Sequence, residues 1–133
     1  MAKHDGRVVS NFIVQALKGE DITIYGDGLQ TRSFCFISDL VAGATSFLFH
    51  DIAIKTPINL GNDHEFFIKD LAELVIQKAN SESKIIYLPL PQDDPKKRKP
   101  DLSLAHQTLN YFPKVELDEG INRTINYFKE VLN

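Results

Sequence analysis

Segments with helical periodicity alternate along this chain with short runs of strand-forming residues, and this alternation sets the narrowest limit on its fold. In residues 6–18 apolar side chains recur at the spacing of one helix face, and Gly19 follows where a C-terminal cap is expected. Further helices are predicted at residues 68–79, 101–109 and 117–131, and one capped by Ser38 or Asp39 runs to residue 48. Strands are predicted at residues 21–25, 31–36, 57–62 and 84–88.

The composition is that of an ordinary globular protein. The alternation of helices with short strands predicts one α+β domain, residues 1–133. Hydrophobic residues make up 43% and charged residues 25% of its 133 residues. The net charge of −3 gives no general attraction to nucleic acid or to anionic membranes. Cys35 is the only cysteine, which excludes an internal disulfide and a four-cysteine zinc site. With no membrane-length apolar stretch and no signal-like start, we expect a cytoplasmic protein.

The most informative local motif is a glycine turn followed by an arginine on a predicted strand. Gly26 and Gly28 permit a tight turn, and Arg32 lies shortly after it. An arginine held in this way can bind a phosphate or carboxylate with two hydrogen bonds. The motif alone fits a solvated surface hairpin equally well.

Two further polar clusters are candidate anion sites. Arg7 stands at the start of the first predicted helix, where a cation opposes the helix dipole and is therefore poorly placed for stability. Residues 93–101 form a charged loop that contains Arg98. Four consecutive basic residues in this loop could suggest nucleic acid, but flanking aspartates nearly cancel them. Solvated side chains are the alternative interpretation of both clusters.

Several catalytic and cofactor motifs are missing from the sequence. Gly26-x-Gly28 lacks the third glycine of a dinucleotide fingerprint and is followed by a strand instead of a helix. None of the four tyrosines has a lysine four residues later, so the Tyr-x-x-x-Lys pair is absent. The four histidines are scattered, and we predict no metal site.

Five strings in this order resemble the C-terminal half of the UDP-glucuronate decarboxylases (UDP-xylose synthases). This family belongs to the extended short-chain dehydrogenases/reductases, which include NAD-dependent nucleotide-sugar epimerases and dehydratases. The resemblance covers nearly the whole chain, and its most specific string is Asp-Asp-Pro-x-x-Arg-Lys-Pro-Asp. The strings are Gly6-Arg7-Val8-Val9-Ser10-Asn11-Phe12, Ile24-Tyr25-Gly26-x-Gly28-x-Gln30-Thr31-Arg32-x-Phe34, Ser38-Asp39-Leu40-Val41, Asn59-Leu60-Gly61-Asn62 and Asp93-Asp94-Pro95-x-x-Arg98-Lys99-Pro100-Asp101.

The resemblance implies roles for the matching residues. Arg32 would contact the UDP diphosphate, and Arg98 would lie at the active site as an auxiliary catalytic group that also binds substrate. Arg7 would lie near NAD in the complete enzyme. The other substrate-binding residues implied are Thr23, Tyr25, Gly26, Gln30 and Gln92.

The resemblance also implies an activity that this chain does not contain in full. The family oxidises the sugar of UDP-glucuronate at C4 with bound NAD, releases CO2 and returns the hydride to give UDP-xylose. Because the NAD fingerprint and the Tyr-x-x-x-Lys pair belong to a missing N-terminal half, we expect this chain alone to hold no cofactor and to be inactive. It would be a truncated reading frame or an excised part, with a UDP-sugar and a separately encoded NAD-binding half as partners.

Two other functions stay open at this point. One is a domain of a related dehydratase or epimerase, such as a dTDP-glucose 4,6-dehydratase, because the Tyr-Gly-x-Gly-x-Gln-Thr-Arg string is shared widely. The other is a non-catalytic remnant that no longer binds nucleotide sugar. The oligomeric state is open as well, since the fragment could be monomeric or could associate through its exposed interdomain face.

Overall fold

The computed structural model describes residues 7–51, 53–90 and 96–132, and it contains helices mixed with two small sheets. This mixture agrees with the predicted α+β class. The helices are α1 (Val8–Lys18), α2 (Ile37–Leu48), α3 (Ile68–Ala79), α4 (Ser103–Leu109) and α5 (Leu117–Leu132). The strands are β1 (Ile22–Tyr25), β2 (Thr31–Ser33), β3 (Glu65–Phe67) and β4 (Ile85–Leu88).

Each sheet has two strands and joins distant parts of the chain. β1 pairs in parallel with β4, with Ile22 opposite Ile85. β2 pairs antiparallel with β3, and Thr31 stands opposite Phe67. A single parallel bridge joins Thr31 to Lys97, so the chain that follows residue 95 runs beside β2.

The main core lies where three helices pack around β1. Ile22 and Ile24 point inward while Thr23 and Tyr25 are more exposed, as the two-residue repeat of a strand requires. The helices contribute the apolar faces predicted from their spacing. The buried members are Phe12, Ile13, Val14, Ala16, Ile22, Ile24, Ile68, Leu71, Ala72, Val75, Ile121, Ile125 and Phe128.

Of two predicted caps, Gly19 is confirmed and Asp101 is displaced by one residue. Gly19 ends α1 at φ 71°, where its N–H and that of Glu20 donate to the carbonyls of Ala16 and Gln15 at 3.2 and 2.9 Å. The N-cap residue of α4 is Leu102, and Asp101 stands one residue before it. An Asp101 Oδ1 atom accepts hydrogen bonds from the Ser103 N–H and hydroxyl at 2.9 and 2.6 Å. These bonds hold the pKa of Asp101 below its usual value.

The strand predicted at residues 57–62 is wrong, because no strand is assigned there. Ile58 and Leu60 pack instead against a second small cluster of Leu102, Ala105 and Tyr111. A strand requires a pairing partner, and the described residues supply none for this segment. The three-residue strand β3, which was not predicted, begins only a few residues later.

Helix α2 also differs from its prediction, in its start and in its packing. It begins at Ile37, and neither Ser38 nor Asp39 caps it. Asp39 is buried instead, and its Oδ2 atom accepts a hydrogen bond from the Val115 N–H at 2.9 Å. Only Asp39 and Gly43 are buried in this helix, so the predicted apolar face does not join the core.

Replacing Phe128 with Ala tests the core, because this ring is fully buried. We expect a loss of about 3–5 kcal/mol in the free energy of unfolding, measured by urea denaturation. The matched control is Tyr127→Ala in the neighbouring residue. The Tyr127 ring is 45% exposed, so its removal should lower the free energy of unfolding by less than about 1 kcal/mol. Equal losses would contradict this placement of the core.

A pair of glycine substitutions tests the packing of α2. A methyl group at Gly43 would lie 2.9 Å from ring carbons of Tyr111, whereas one at Gly120 in α5 would lie 3.4 Å from Phe36. Replacing a helical glycine with Ala normally gains about 0.5–1 kcal/mol. We therefore expect Gly120→Ala to stabilise the chain and Gly43→Ala to destabilise it in thermal unfolding. A gain at Gly43 would show that Tyr111 does not pack there.

Candidate functional site

A cavity of about 710 Å³ opens between β2 and two loop segments. One wall comes from β2 and the residues that follow it, and the opposite wall comes from the basic segment near residue 98. Residues before β3 and the first residue of α1 complete the boundary. The lining residues are Val8 and residues 32–35, 60–62 and 97–100.

Backbone hydrogen bonds hold the basic segment against β2. The Thr31 N–H donates to the Lys96 carbonyl at 2.8 Å, which extends the bridge between Thr31 and Lys97. The Ser33 hydroxyl donates to the Arg98 carbonyl at 3.5 Å. These contacts bring Arg32 and Arg98, which are far apart in sequence, to one cavity.

The cavity is strongly positive. Arg32, Lys97, Arg98 and Lys99 all contribute to its lining, and no carboxylate occurs among the described lining residues. Arg32 is half-buried and donates from Nη1 to the Thr31 carbonyl at 2.7 Å, which fixes part of its side chain. A concave site with several cations attracts an anion with more than one negative charge.

Tyr111 positions the loop at residues 60–62. Its buried hydroxyl donates to the Gly61 carbonyl at 2.7 Å and lies 3.7 Å from Cys35 Sγ. Burial is the main cause that raises the pKa of Tyr111 and the pKa of the Cys35 thiol. Both groups are therefore neutral at pH 7, and Cys35 lacks the thiolate character of a nucleophile.

Four of the predicted substrate-binding residues do not line this cavity. Thr23 donates from its N–H to Gln15 Oε1 at 3.3 Å, inside the packed β1 region. The Gly26 N–H donates to the Leu88 carbonyl at 2.7 Å, and Gln30 Nε2 donates to the Tyr25 carbonyl at 2.8 Å. These bonds shape the loop between β1 and β2, and the substrate-binding roles stay predictions.

The two remaining predicted residues lie at or beyond the limits of the described chain. Gln92 is outside the described residues. Arg7 is exposed just before α1, and its carbonyl accepts hydrogen bonds from the Ser10 hydroxyl at 3.1 Å and the Asn11 N–H at 2.9 Å. Since Val8 lines the cavity, Arg7 stands next to its edge.

The sequence analysis did not identify several lining residues. Lys97 and Lys99 were expected to face water, and both are exposed, but they also line the same cavity as Arg98. Gly61 and Asn62 were predicted only as the turn that ends the short strand at residues 57–62. The strings that resemble the decarboxylases include residues 59–62 and 93–101. This resemblance was the one signal that could have placed these two segments at a site.

Metal clusters and membrane-spanning helices are absent from the described part of the chain. Among these residues no group of three or more His, Cys, Asp or Glu side chains is arranged to hold a metal ion. No described helix is long and apolar enough to cross a membrane.

Comparison with known proteins identifies relatives over nearly the whole chain. Residues 1–61 match the model of the NAD dependent epimerase/dehydratase family. UDP-glucuronic acid decarboxylase 1 of Danio rerio is 48% identical over 132 residues, which are 99% of this chain and 31% of that protein. UDP-glucuronic acid decarboxylase 1 of Arabidopsis thaliana is 45% identical over 134 residues, covering 100% of this chain and 30% of that protein.

A solved structure shares the fold. The UDP-glucuronic acid 4-epimerase of Bacillus cereus, in complex with UDP-glucuronic acid and NAD, has a TM-score of 0.89 and 28% identity. The match covers 95% of this chain and 40% of that chain. The present chain thus spans well under half the length of these relatives. It belongs to the NAD-dependent epimerase/dehydratase family, and over nearly its whole length its sequence is similar to that of the UDP-glucuronic acid decarboxylases.

Proposed function

We propose that this chain is the nucleotide-sugar-binding domain of an NAD-dependent UDP-glucuronate decarboxylase, which converts UDP-glucuronate to UDP-xylose and CO2. The observation that supports this most strongly is the cavity that brings Arg32 and Arg98 together with two lysines. The 45–48% identity to decarboxylases supports the choice of substrate. In this proposal residues 1–133 form a single substrate-binding domain without a Rossmann domain, in a cytoplasmic protein.

The cavity has the charge and size for a nucleoside diphosphate group. An arginine can form two parallel hydrogen bonds to phosphate oxygens, and the lysines add point charges. Each charge-assisted hydrogen bond contributes about 1.5–3 kcal/mol. Two arginines would therefore supply a large part of the roughly 8 kcal/mol that a micromolar dissociation constant requires. Arg98 would also act as an auxiliary catalytic group.

The residues of this chain do not fit NAD by themselves. Its sequence has no Gly-x-Gly-x-x-Gly fingerprint, and the glycine turn that comes nearest to one leads into a strand. We therefore propose that another part of the complete enzyme holds NAD and supplies the hydride chemistry. Arg7 would approach that cofactor from the edge of the cavity, and the isolated chain would be inactive.

The runner-up function is a domain of a related nucleotide-sugar epimerase or dehydratase. It is favoured by the structural similarity to a UDP-glucuronic acid 4-epimerase. A diphosphate site of this kind serves any of these reactions, so charge alone does not separate them. The sugar and the base of the nucleotide distinguish the reactions, because a decarboxylase must accommodate a sugar carboxylate and a thymidine enzyme must accommodate the thymine methyl group.

Ligand protection distinguishes these functions. We expect UDP-glucuronate to raise the thermal unfolding temperature of the chain, because a ligand that binds only the folded state stabilises it. We expect dTDP-glucose to have little effect at the same concentration. The reverse preference would contradict the decarboxylase assignment, and no response to UDP even at millimolar concentration would favour a non-catalytic remnant.

Replacing Arg32 with Ala tests the diphosphate site directly. We expect the dissociation constant for UDP, measured by titration calorimetry, to rise more than tenfold, which corresponds to about 1.4 kcal/mol. Arg32→Lys keeps the charge but loses the paired geometry, so it should give an intermediate value. Lys129→Ala on α5, which does not line the cavity, is the matched control. An unchanged dissociation constant in Arg32→Ala would refute the role of this residue.

A further inference from the structure

The cavity has a charged side and an uncharged side. Its cations come from Arg32 and from residues 97–99, whereas residues 33–35 and 60–62 contribute no charge to the lining. A diphosphate would bind at the cations, because they are the groups that compensate its charge. The uncharged surface is then available to the parts of a nucleotide sugar that carry no phosphate. Residues 33–35 and 60–62 are called the neutral wall below.

The neutral wall offers a hydrogen-bonding group that suits a sugar ring. The Asn62 Oδ1 atom accepts a hydrogen bond from the His64 N–H at 2.9 Å, which fixes the side-chain amide. The amide NH2 group of Asn62 is then the donor that remains for a ligand hydroxyl. The aromatic side chain of the wall, Phe34, packs against the main core instead of standing free as a stacking surface for a base.

Tyr111 joins the two halves of the neutral wall. Its hydroxyl donates to the Gly61 carbonyl in one half at 2.7 Å and lies 3.7 Å from Cys35 Sγ in the other half. Gly61 and Cys35 stand 50 and 76 positions away from Tyr111 in the sequence. Tyr111 does not itself line the cavity. Its hydroxyl therefore spans the gap between the two halves from behind.

The Tyr111 ring is held firmly enough to fix the position of its hydroxyl. The residue is 5% exposed and packs with Leu102 and Ala105, and its N–H donates to the Ala105 carbonyl at 3.1 Å. On another side, a methyl group at Gly43 would lie only 2.9 Å from two carbons of the ring. Burial is the main cause that raises the pKa of Tyr111, so the hydroxyl stays protonated near neutral pH and keeps its role as a donor.

We propose that the neutral wall binds the glycosyl ring of the nucleotide sugar and that Tyr111 is a positioning residue for this subsite. Tyr111 touches no ligand and acts through Gly61 and Cys35, by setting the separation of the two halves of the wall. This inference rests on the proposed function, because the diphosphate must bind at the cations for the ring to reach the wall.

Tyr111→Phe is the test, since it removes the hydroxyl and keeps the packed ring. Dissociation constants for UDP, UDP-glucose and UDP-glucuronate are measured by titration calorimetry. We expect the constants of both sugar nucleotides to rise about fivefold, as for one lost hydrogen bond, and that of UDP to change less than about twofold. The matched control is Tyr127→Phe, which removes a hydroxyl from a ring outside the cavity and should change none of the three constants.

Three further variants separate positioning from diphosphate binding and from general stability. Asn62→Ala removes the amide from the wall and should give the same pattern as Tyr111→Phe. Arg32→Ala should weaken all three ligands by the same factor, because they share the diphosphate. Ile125→Val removes part of a fully buried core side chain away from the cavity. It should lower the unfolding temperature without changing the ratio of the constants for UDP-glucuronate and UDP.

The outcomes distinguish this inference from the proposed function. The inference is overturned if Tyr111→Phe weakens UDP and the sugar nucleotides equally, or if it changes none of them. A change confined to UDP-glucuronate would assign the wall to the sugar carboxylate, which also overturns the assignment to the ring. In all these cases the proposed function survives, since UDP still binds. If the wild-type chain binds none of the three ligands, the proposed function is refuted and the inference falls with it.

Discussion

The parallel pairing of β1 with β4 is the contact on which the rest of the structure depends. It joins Ile22 to Ile85 across the chain and gives α1, α3 and α5 a common surface on which to pack. A two-stranded sheet is not stable in water by itself, so the helices and the strand pair need each other. Lys97 forms a separate bridge with Thr31 of β2, and the cationic cavity lies at this bridge.

The site is built mainly from backbone geometry, and its charges come together as a consequence. The Thr31 N–H and the Ser33 hydroxyl hold the main chain of residues 96–98, and the basic side chains follow. Placing four cations in one cavity costs electrostatic free energy unless an anion compensates them. The diphosphate ligand proposed for this site would offset that cost. Solved members of the family include a complex with UDP-glucuronic acid.

Sequence predicted the parts of the fold that are encoded locally. The apolar spacing of residues 68–79 gave α3 with its observed bounds, and Gly19 gave the correct end of α1, whereas Asp101 lies one residue before the N-cap of α4. Strands were harder to predict from the sequence. Residues 57–62 have strand composition, but no strand is assigned to them. The three residues of β3 are too few to show a two-residue period. Asp39 looked like a cap but serves a contact with Val115, which lies 76 positions away. The local sequence pattern predicted Arg32 and Arg98 as anion ligands only singly. The resemblance to the decarboxylases assigned both to one substrate, and the bridge at Lys97 brings both to one cavity.

The two buried residues of α2 determine how this helix is held against the rest of the chain. Asp39 is bonded to the Val115 N–H, and Gly43 packs against the Tyr111 ring, which is itself bonded to Gly61. These contacts fix the orientation of α2 from its inner side while its outer side is open. A helix held in place in this way has little conformational entropy left to lose in any association.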